Sequence, residues 1–552
     1  MNEWLPWLLG VPLALVAGRF ALARLRLSAA KHPSLAGHPR IAKRLARQIR
    51  RYEFGPERFF AADGADAETA MRRRAGFERL AESFRQARPA SIELMSRLSE
   101  SVSDVGFIAR YRVPFPFSRV VRESLKPGVV VEDSIGHEVV DLDGNRFVDL
   151  TGAYGVNVFG NERYRTWIER GRERVGSLGP ILGPYHPVIE PCVEAIRRVS
   201  GLDEVSFHMS GTEAVMQAVR LARYHTGRSH VVRFSGAYHG WWDDVQPGIG
   251  NPSRPGSVHT LAEMSERTLR VLRTRRDIAC VLVNPLQALH PNANAPGDGA
   301  LVSANRKAGL DRDAYGRWLG ELREVCDARG IVLVFDEIFV GFRIARGGAQ
   351  EYFGVRADLV TYGKTLGGGL PVGVLCGRAD LMQRFREDRP ADICFARGTF
   401  NSHPYVLGSM AAFLEWFETD EAHRLYQGLD ERWNERCERF NRAIEASGLP
   451  LAVANFSSVF TVLYRQPARH NWMLQFYLNR EGLLLPWTGT GRMIFAIDFT
   501  DRAFDEVIDR FIDAARAMRR DGWWDGPRDL DRAAISRMML RETLRARVGL
   551  EA

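Results

Sequence analysis

From about residue 200 the chain runs as short apolar stretches separated by helical segments, and this alternation limits the fold more than any other feature. The stretches are EVSFHMS (204–210), HVVRF (230–234), IACVLV (278–283), IVLVFDE (331–337) and ADLVTYG (357–363). Between them, TEAVMQAVRLARYH (212–225) and YGRWLGELREVCDARG (315–330) repeat apolar residues at helical spacing. Strand–helix alternation of this kind predicts an α/β fold with a largely parallel sheet covered on both faces. Such sheets carry their functional groups at the carboxyl ends of the strands. The residues that close these stretches are therefore the first candidates for chemistry.

The first stretch ends in Ser210-Gly211-Thr212 at the start of a helix. Glycine admits close approach of an anion, threonine supplies a hydroxyl, and a helix start presents free N–H groups at its positive end. A plain N-cap, with Thr212 before an acidic residue, would read the same way. The second stretch leads into Ser235-Gly236-Ala237-Tyr238-His239-Gly240, whose tyrosine would suit either a planar ligand or a core. The fourth delivers Asp336 and Glu337, and a carboxylate there can hold a protonated pyridine nitrogen or simply cap a loop. The last ends at Lys364, followed by Thr365-Leu366-Gly367-Gly368-Gly369. An amine beside three glycines has room to condense with a carbonyl; an exposed loop lysine is the plain alternative. A phosphate cradle, an aromatic, a carboxylate and a lysine, each at a strand end, form a far more specific signal together than apart.

At these residues the sequence resembles the class III aminotransferases. SGTEAVMQAVRLAR, GAYHG, LVFDEIFVGFR and TYGKTLGGGLPVG carry the likeness, which is greatest to glutamate-1-semialdehyde 2,1-aminomutase and its relatives and spans roughly 130–515. The resemblance implies fold type I of the pyridoxal-phosphate enzymes, with pyridoxal 5'-phosphate as cofactor. It implies catalytic roles for Lys364, which would carry the cofactor and shuttle a proton, and for Asp336, which would pair with the pyridine nitrogen. Ser210, Gly211 and Thr212 would hold the phosphate and Tyr238 would stack on the ring. His239 and Glu337 would stand behind them, and Arg343 would support the loop after the strand. Thr399, within GTF at 398–400, would reach the phosphate of a second subunit, which implies a homodimer. GGAQEYFG (347–354) before ADLVTYGK also resembles aminotransferase domains of polyketide and lipopeptide synthases, which act on carrier-bound oxoacyl chains. The function expected is thus amino transfer from a donor to an oxo or aldehyde substrate, acyl- or carrier-linked, with intramolecular amino transfer as the alternative. One departure bears on substrate: Asn284-Pro285-Leu286-Gln287 stands where relatives read Glu-Pro, removing a negative charge near the cofactor.

Six domain segments are expected. Residues 1–27 form an anchor or membrane-surface helix and 28–128 a helical extension. Residues 129–175 open the small domain, where VVVEDSIGHEVVDLDGNRFVDL reads as a meander. Residues 176–400 form the large domain, 401–520 close the small one, and 521–552 are a tail.

The net charge of +9 in 552 residues is concentrated in one place. Arg19, Arg24, Arg26, Lys31, Arg40, Lys43, Arg44, Arg47, Arg50 and Arg51 fall within 19–51 without an acid, and the remainder is nearly neutral. Basic residues are not interleaved with aromatics over a folded face, so no nucleic-acid partner is expected. Trp4 to Gly18 precedes them as an uncharged apolar run of 15 residues. At about 1.5 Å per residue it falls short of the roughly 30 Å hydrocarbon core unless it continues to Leu27. Apolar run followed by positive cluster predicts membrane association with the body in the cytoplasm. A cleaved leader would place its basic residues first, and a packing helix is the plain alternative. Six cysteines without C-x-x-C or histidine spacing predict reduced, buried thiols and no metal site.

Overall fold

The computed structural model describes residues 5–111, 113–246, 250, 256–292, 304, 306–486, 491–527 and 530–550, with side chains omitted for 5–14. Its centre is a seven-stranded sheet, ordered Glu204–His208, Gly373–Gly377, Leu359–Gly363, Val332–Asp336, Ile278–Val283, His230–Phe234 and Val258–Leu261. Ile278–Val283 and Val332–Asp336 are buried at every residue, as strands covered on both faces must be. All neighbours are parallel except Gly373–Gly377, which runs antiparallel between Glu204–His208 and Leu359–Gly363. That strand and the edge strand Val258–Leu261 are the two the sequence reading omits. One is bounded by glycines; the other carries polar residues.

The flanking helices begin and end where their sequences dictate. Ser210 caps Gly211–Thr226 by accepting from the Glu213 N–H, and Asp311 caps Arg312–Arg329 by accepting from Ala314. Gly227 and Gly330 then close these helices in the left-handed conformation.

A second body is assembled from both flanks of the large sheet. The meander Val131–Ile135, Glu138–Asp141 and Arg146–Asp149 is joined in parallel by Leu483–Leu484. Leu451–Phe456, Val459–Tyr464 and Arg492–Ile494 form a further antiparallel sheet.

The N-terminal extension is helical, as expected, and packs on the catalytic body. The helix Leu5–Ala30 ends at the exposed edge of the central sheet, where Ala262 N–H donates to the Ala30 carbonyl at 3.0 Å and Lys31 bridges Leu261. It thereby covers a strand edge that would otherwise present unpaired backbone groups. No helix among the described residues is long and apolar enough to cross a membrane, so the spanning form of the expected anchor is not found. Trp4 lies outside the described residues.

The segment read as a tail contains the helix Arg532–Arg547. Its Glu542 accepts from Arg469 Nη1 at 3.0 Å and from Tyr52 at 3.0 Å, while Arg469 Nε donates to Asp63 at 2.6 Å. This buried network joins both chain ends to the small domain. Around it Phe59, Phe60, Phe77 and Trp523 pack in edge-on and tilted pairs. All six cysteines are buried and free, and no metal-binding cluster occurs among the described residues.

Candidate active site

Lys364 is the first residue after the strand Leu359–Gly363 and takes a left-handed backbone with φ of 49°. Strain of this kind in a non-glycine residue marks a position held by its surroundings. Its ammonium donates to the Tyr154 carbonyl and lies 4.8 Å from the centre of the Phe339 ring. Tyr154 itself belongs to the tight turn Gly152–Gly155, with φ of 55°. Burial pushes the Lys364 amine down to about 8, helped by the positive charges of Arg343 and Arg492 and opposed by Asp336.

Asp336 ends the adjacent strand, paired in register with Thr361. One carboxylate oxygen accepts from His239 Nδ1 at 2.8 Å; the other accepts from the Ile338 N–H and the Thr361 hydroxyl, both at 3.3 Å. Both Asp336 and His239 are buried, and His239 Nε2 has no hydrogen-bond partner among the described residues. Tyr238, by contrast, is 61% exposed, so its ring is available to a ligand and is not a core tyrosine. Burial of its hydroxyl and the nearby Asp336 raise its pKa.

The turn at 210–212 is built by close approach. A Cβ on Gly373 would lie 2.0 Å from the Ser210 carbonyl oxygen, and one on Gly240 would lie 2.6 Å from the Thr212 hydroxyl. The cap of the helix is Ser210, not Thr212, which leaves the threonine hydroxyl facing the Tyr238–Gly240 loop. The structure thus brings Lys364, Asp336, His239 and Tyr238 to one end of the sheet, with Ser210, Gly211 and Thr212 against the same loop. Thr399 is exposed, and the described contacts do not join it to Lys364; its neighbour Gly398 lies near Glu213 of the same helix start.

Several residues have structural duties that their sequence does not announce. Asn284 donates to the Tyr238 carbonyl at 3.0 Å and Gln287 to the Ser235 carbonyl at 2.6 Å, so both brace the tyrosine loop from behind. Glu337, raised to about 8 by burial, accepts from the Ala349 N–H at 2.6 Å. A Cβ on Gly348, whose φ is 66°, would lie 1.9 Å from that carboxylate, which explains the glycine of the GGAQ segment. Arg343 is fully buried and donates to Ser458 Oγ, the Phe495 carbonyl and the Asn157 carbonyl at 2.8, 2.7 and 3.0 Å. It holds the small domain against the strand-end loop and so does more than support that loop. Tyr154 and Phe339 were missed from the sequence. The glycines around Ala153-Tyr154 are the one local signal for the former.

The family model for class III aminotransferases matches residues 120–515. The chain belongs to the class III aminotransferases. It is 30% identical to the glutamate-1-semialdehyde 2,1-aminomutase of Methanocaldococcus jannaschii over 443 residues, 75% of this chain and 93% of that one. It is 31% identical to the enzyme of the same name from Geotalea daltonii over 361 residues, 62% of this chain and 78% of the relative. Among solved structures, a transaminase with PLP bound is 26% identical, with a TM-score of 0.62 over 78% of this chain and 98% of that one. A β-phenylalanine aminotransferase from Variovorax paradoxus shares the fold, at 23% identity and a TM-score of 0.64 over 81% of this chain and 98% of the other.

The protein is accordingly an enzyme of the pyridoxal-phosphate-dependent aminotransferase class. Its residues fit the cofactor. The cradle at 210–212 is kept open by glycines that a Cβ would block, burial pushes the Lys364 amine down to about 8, and an exposed aromatic stands beside a buried carboxylate.

Proposed function

We propose that this aminotransferase moves an amino group between separate molecules, from a donor amine to an oxo or aldehyde acceptor, with Lys364 and Asp336 as its catalytic residues. The observation that carries the catalytic assignment is the meeting of Lys364, whose amine burial pushes down to about 8, with the buried Asp336–His239 pair at one end of the sheet. When bound, pyridoxal phosphate supplies an aldehyde that condenses with amines and a ring that withdraws electrons from the carbon beside the nitrogen. Ser210, Gly211 and Thr212 hold its phosphate with N–H and hydroxyl donors at the helix start. Tyr238, whose ring is exposed, would lie against the cofactor ring. Asp336 would hold the cofactor's pyridine nitrogen in its protonated form, and His239 fixes the carboxylate by its hydrogen bond. Lys364 carries the cofactor at rest, then takes and returns a proton at the substrate carbon.

A homodimer supports the phosphate site, with Thr399 serving the other copy. Ile181, Tyr185, Phe385, Ile393, Phe395 and Phe400 are exposed apolar residues on the segments around it, as a covered face requires. An acyl- or carrier-linked acceptor is supported by the GGAQEYFG resemblance. The second reading, an intramolecular aminomutase, is favoured by the names of the 30–31% identical relatives. Incubation with a ¹⁵N-labelled amine donor separates the two. A transferase requires the donor and puts its label into the product; donor-independent conversion of glutamate 1-semialdehyde, without activity on other acceptors, would overturn the transferase reading.

The N-terminus lies on the inner membrane surface with the body in the cytoplasm. Leu15, Val16, Phe20, Leu22 and Leu25 are exposed on the helix Leu5–Ala30, and Ile41 and Leu45 are exposed on the helix Pro39–Ala46. Seven of the ten basic residues, from Lys31 to Arg51, lie on or beside that second helix. Apolar residues with surrounding cations suit an anionic lipid surface. The full-length protein should sediment with phosphatidylserine-containing vesicles at low salt and be released at high salt, and Ile41→Ser with Leu45→Ser should weaken it. Equal binding to neutral vesicles, or none to either, would contradict this placement.

A further inference from the structure

The helix Arg532–Arg547, near the end of the chain, has two faces with different duties. Ile535, Glu542 and Ala546 are buried against the body. On the other side Leu540, Leu544 and Val548 follow one another at helical spacing and point into solvent, 59, 52 and 71% exposed. At about 100° per residue, Leu544 stands opposite the line of Glu542 and Ala546. Packing against the body therefore does not account for the leucines. A single exposed leucine is ordinary on a protein surface, but a continuous apolar line along a helix marks a contact.

The charges on this helix are of one sign. Arg532, Arg537, Arg541, Arg545 and Arg547 are all exposed. The single acid between Arg532 and Val548 is Glu542, which is buried and spent on Arg469. The outer surface of the helix thus shows apolar residues and cations without an acid. Glu542 also accepts from the Tyr52 hydroxyl at 3.0 Å and from Arg58 at 3.1 Å, and Tyr52 follows directly on the basic run that ends at Arg51. Both ends of the chain therefore bring positive charge to one region of the surface. Such a face repels a second copy of itself, because a symmetric contact would set arginine against arginine. It complements an anionic bilayer, whose acyl boundary takes the leucines while the arginine stems let the guanidinium groups reach the headgroup phosphates.

We propose that the helix Arg532–Arg547 is a lipid-binding surface that lies flat on anionic phospholipid, with Leu540, Leu544 and Val548 entering the interface and the flanking arginines on the headgroups. It is a second contact, separate from the one proposed above for the N-terminus, and its residues are different ones. Because the buried Glu542–Arg469–Asp63 network ties both chain ends to the small domain, the two contacts are held in a fixed relation and reinforce each other.

The test uses the full-length protein and phosphatidylcholine vesicles with and without phosphatidylserine, at low salt. Arg537→Gln with Arg541→Gln and Arg545→Gln should lower binding to the anionic vesicles by about 100-fold, from roughly fivefold for each cation near an anionic surface. Leu540→Ser with Leu544→Ser should lower it by about tenfold, a fraction of the gain from burying two leucines fully. Both variants should keep the wild-type melting midpoint and amino-transfer rate, because these side chains point away from the body. An environment-sensitive dye on Leu544→Cys should shift its emission to the blue when anionic vesicles are added. Wild-type binding in both variants, or an unshifted dye, would overturn the inference; the N-terminal placement then still stands if Ile41→Ser with Leu45→Ser weakens binding. Losses confined to the C-terminal variants would support the inference and overturn the N-terminal placement. Concentration-dependent self-assembly in light scattering that Leu540→Ser with Leu544→Ser abolishes, with vesicle binding unchanged, would assign the face to a second copy and overturn the inference. No binding of wild type to anionic vesicles would overturn both contacts.

Discussion

Lys364→Ala abolishes turnover, by at least about 10⁴-fold, the upper range for loss of a positioned acid–base group. In the cofactor-free protein its thermal midpoint stays at or above that of wild type. The amine is recessed, faces Arg343 and Arg492 at a distance, and has one carbonyl as its partner, so burial disfavours its charge more than the contact favours it. Removing it relieves that cost. Assay of amino transfer alongside a melting curve checks both halves: turnover near wild type, or a variant that fails to fold, would contradict the role assigned to this residue.

Asp336→Ala lowers turnover by about 10²–10³-fold, the scale seen when one preorganised electrostatic group is removed from a site. It also leaves His239 Nδ1–H and the Thr361 hydroxyl without their acceptor in a buried position, at a stability cost of about 1–3 kcal/mol. Asp336→Asn separates the two effects. Its amide oxygen can still accept from His239, so stability returns, but it carries no charge to keep a proton on a ring nitrogen, so turnover stays low. Recovery of both stability and activity in Asp336→Asn would show that the carboxylate only packs.

The strand-end residues were legible because each signal is local. Lys364 beside its glycines, Asp336 closing an apolar strand and Ser210-Gly211 opening a helix all need only a few neighbours in sequence, and the α/β alternation places them at one end of a sheet. What the sequence withheld is contact across distance. The Lys364–Tyr154 hydrogen bond spans 210 positions, and the turn at Gly152 that carries Tyr154 is packed against Ile494, from the far side of the central sheet in sequence. Asn284 reads as a missing acid, yet its amide is spent on the Tyr238 carbonyl. The tail shows the same limit: Glu542 gains its meaning from Arg469, 73 positions away. The apolar N-terminal run reads as a membrane anchor or membrane-surface helix, and nothing in it announces that its helix ends by covering the edge of the central sheet.

The central claim is that Lys364 holds the cofactor, and the chain makes it easy to test because it has only five lysines: Lys31, Lys43, Lys126, Lys307 and Lys364. Borohydride reduction of the cofactor-loaded protein, followed by proteolysis and mass spectrometry of the peptides, reports which one carries the pyridoxyl group. The account predicts a single modified peptide, containing Lys364; a pyridoxyl group on any of the other four, or on none, would contradict it.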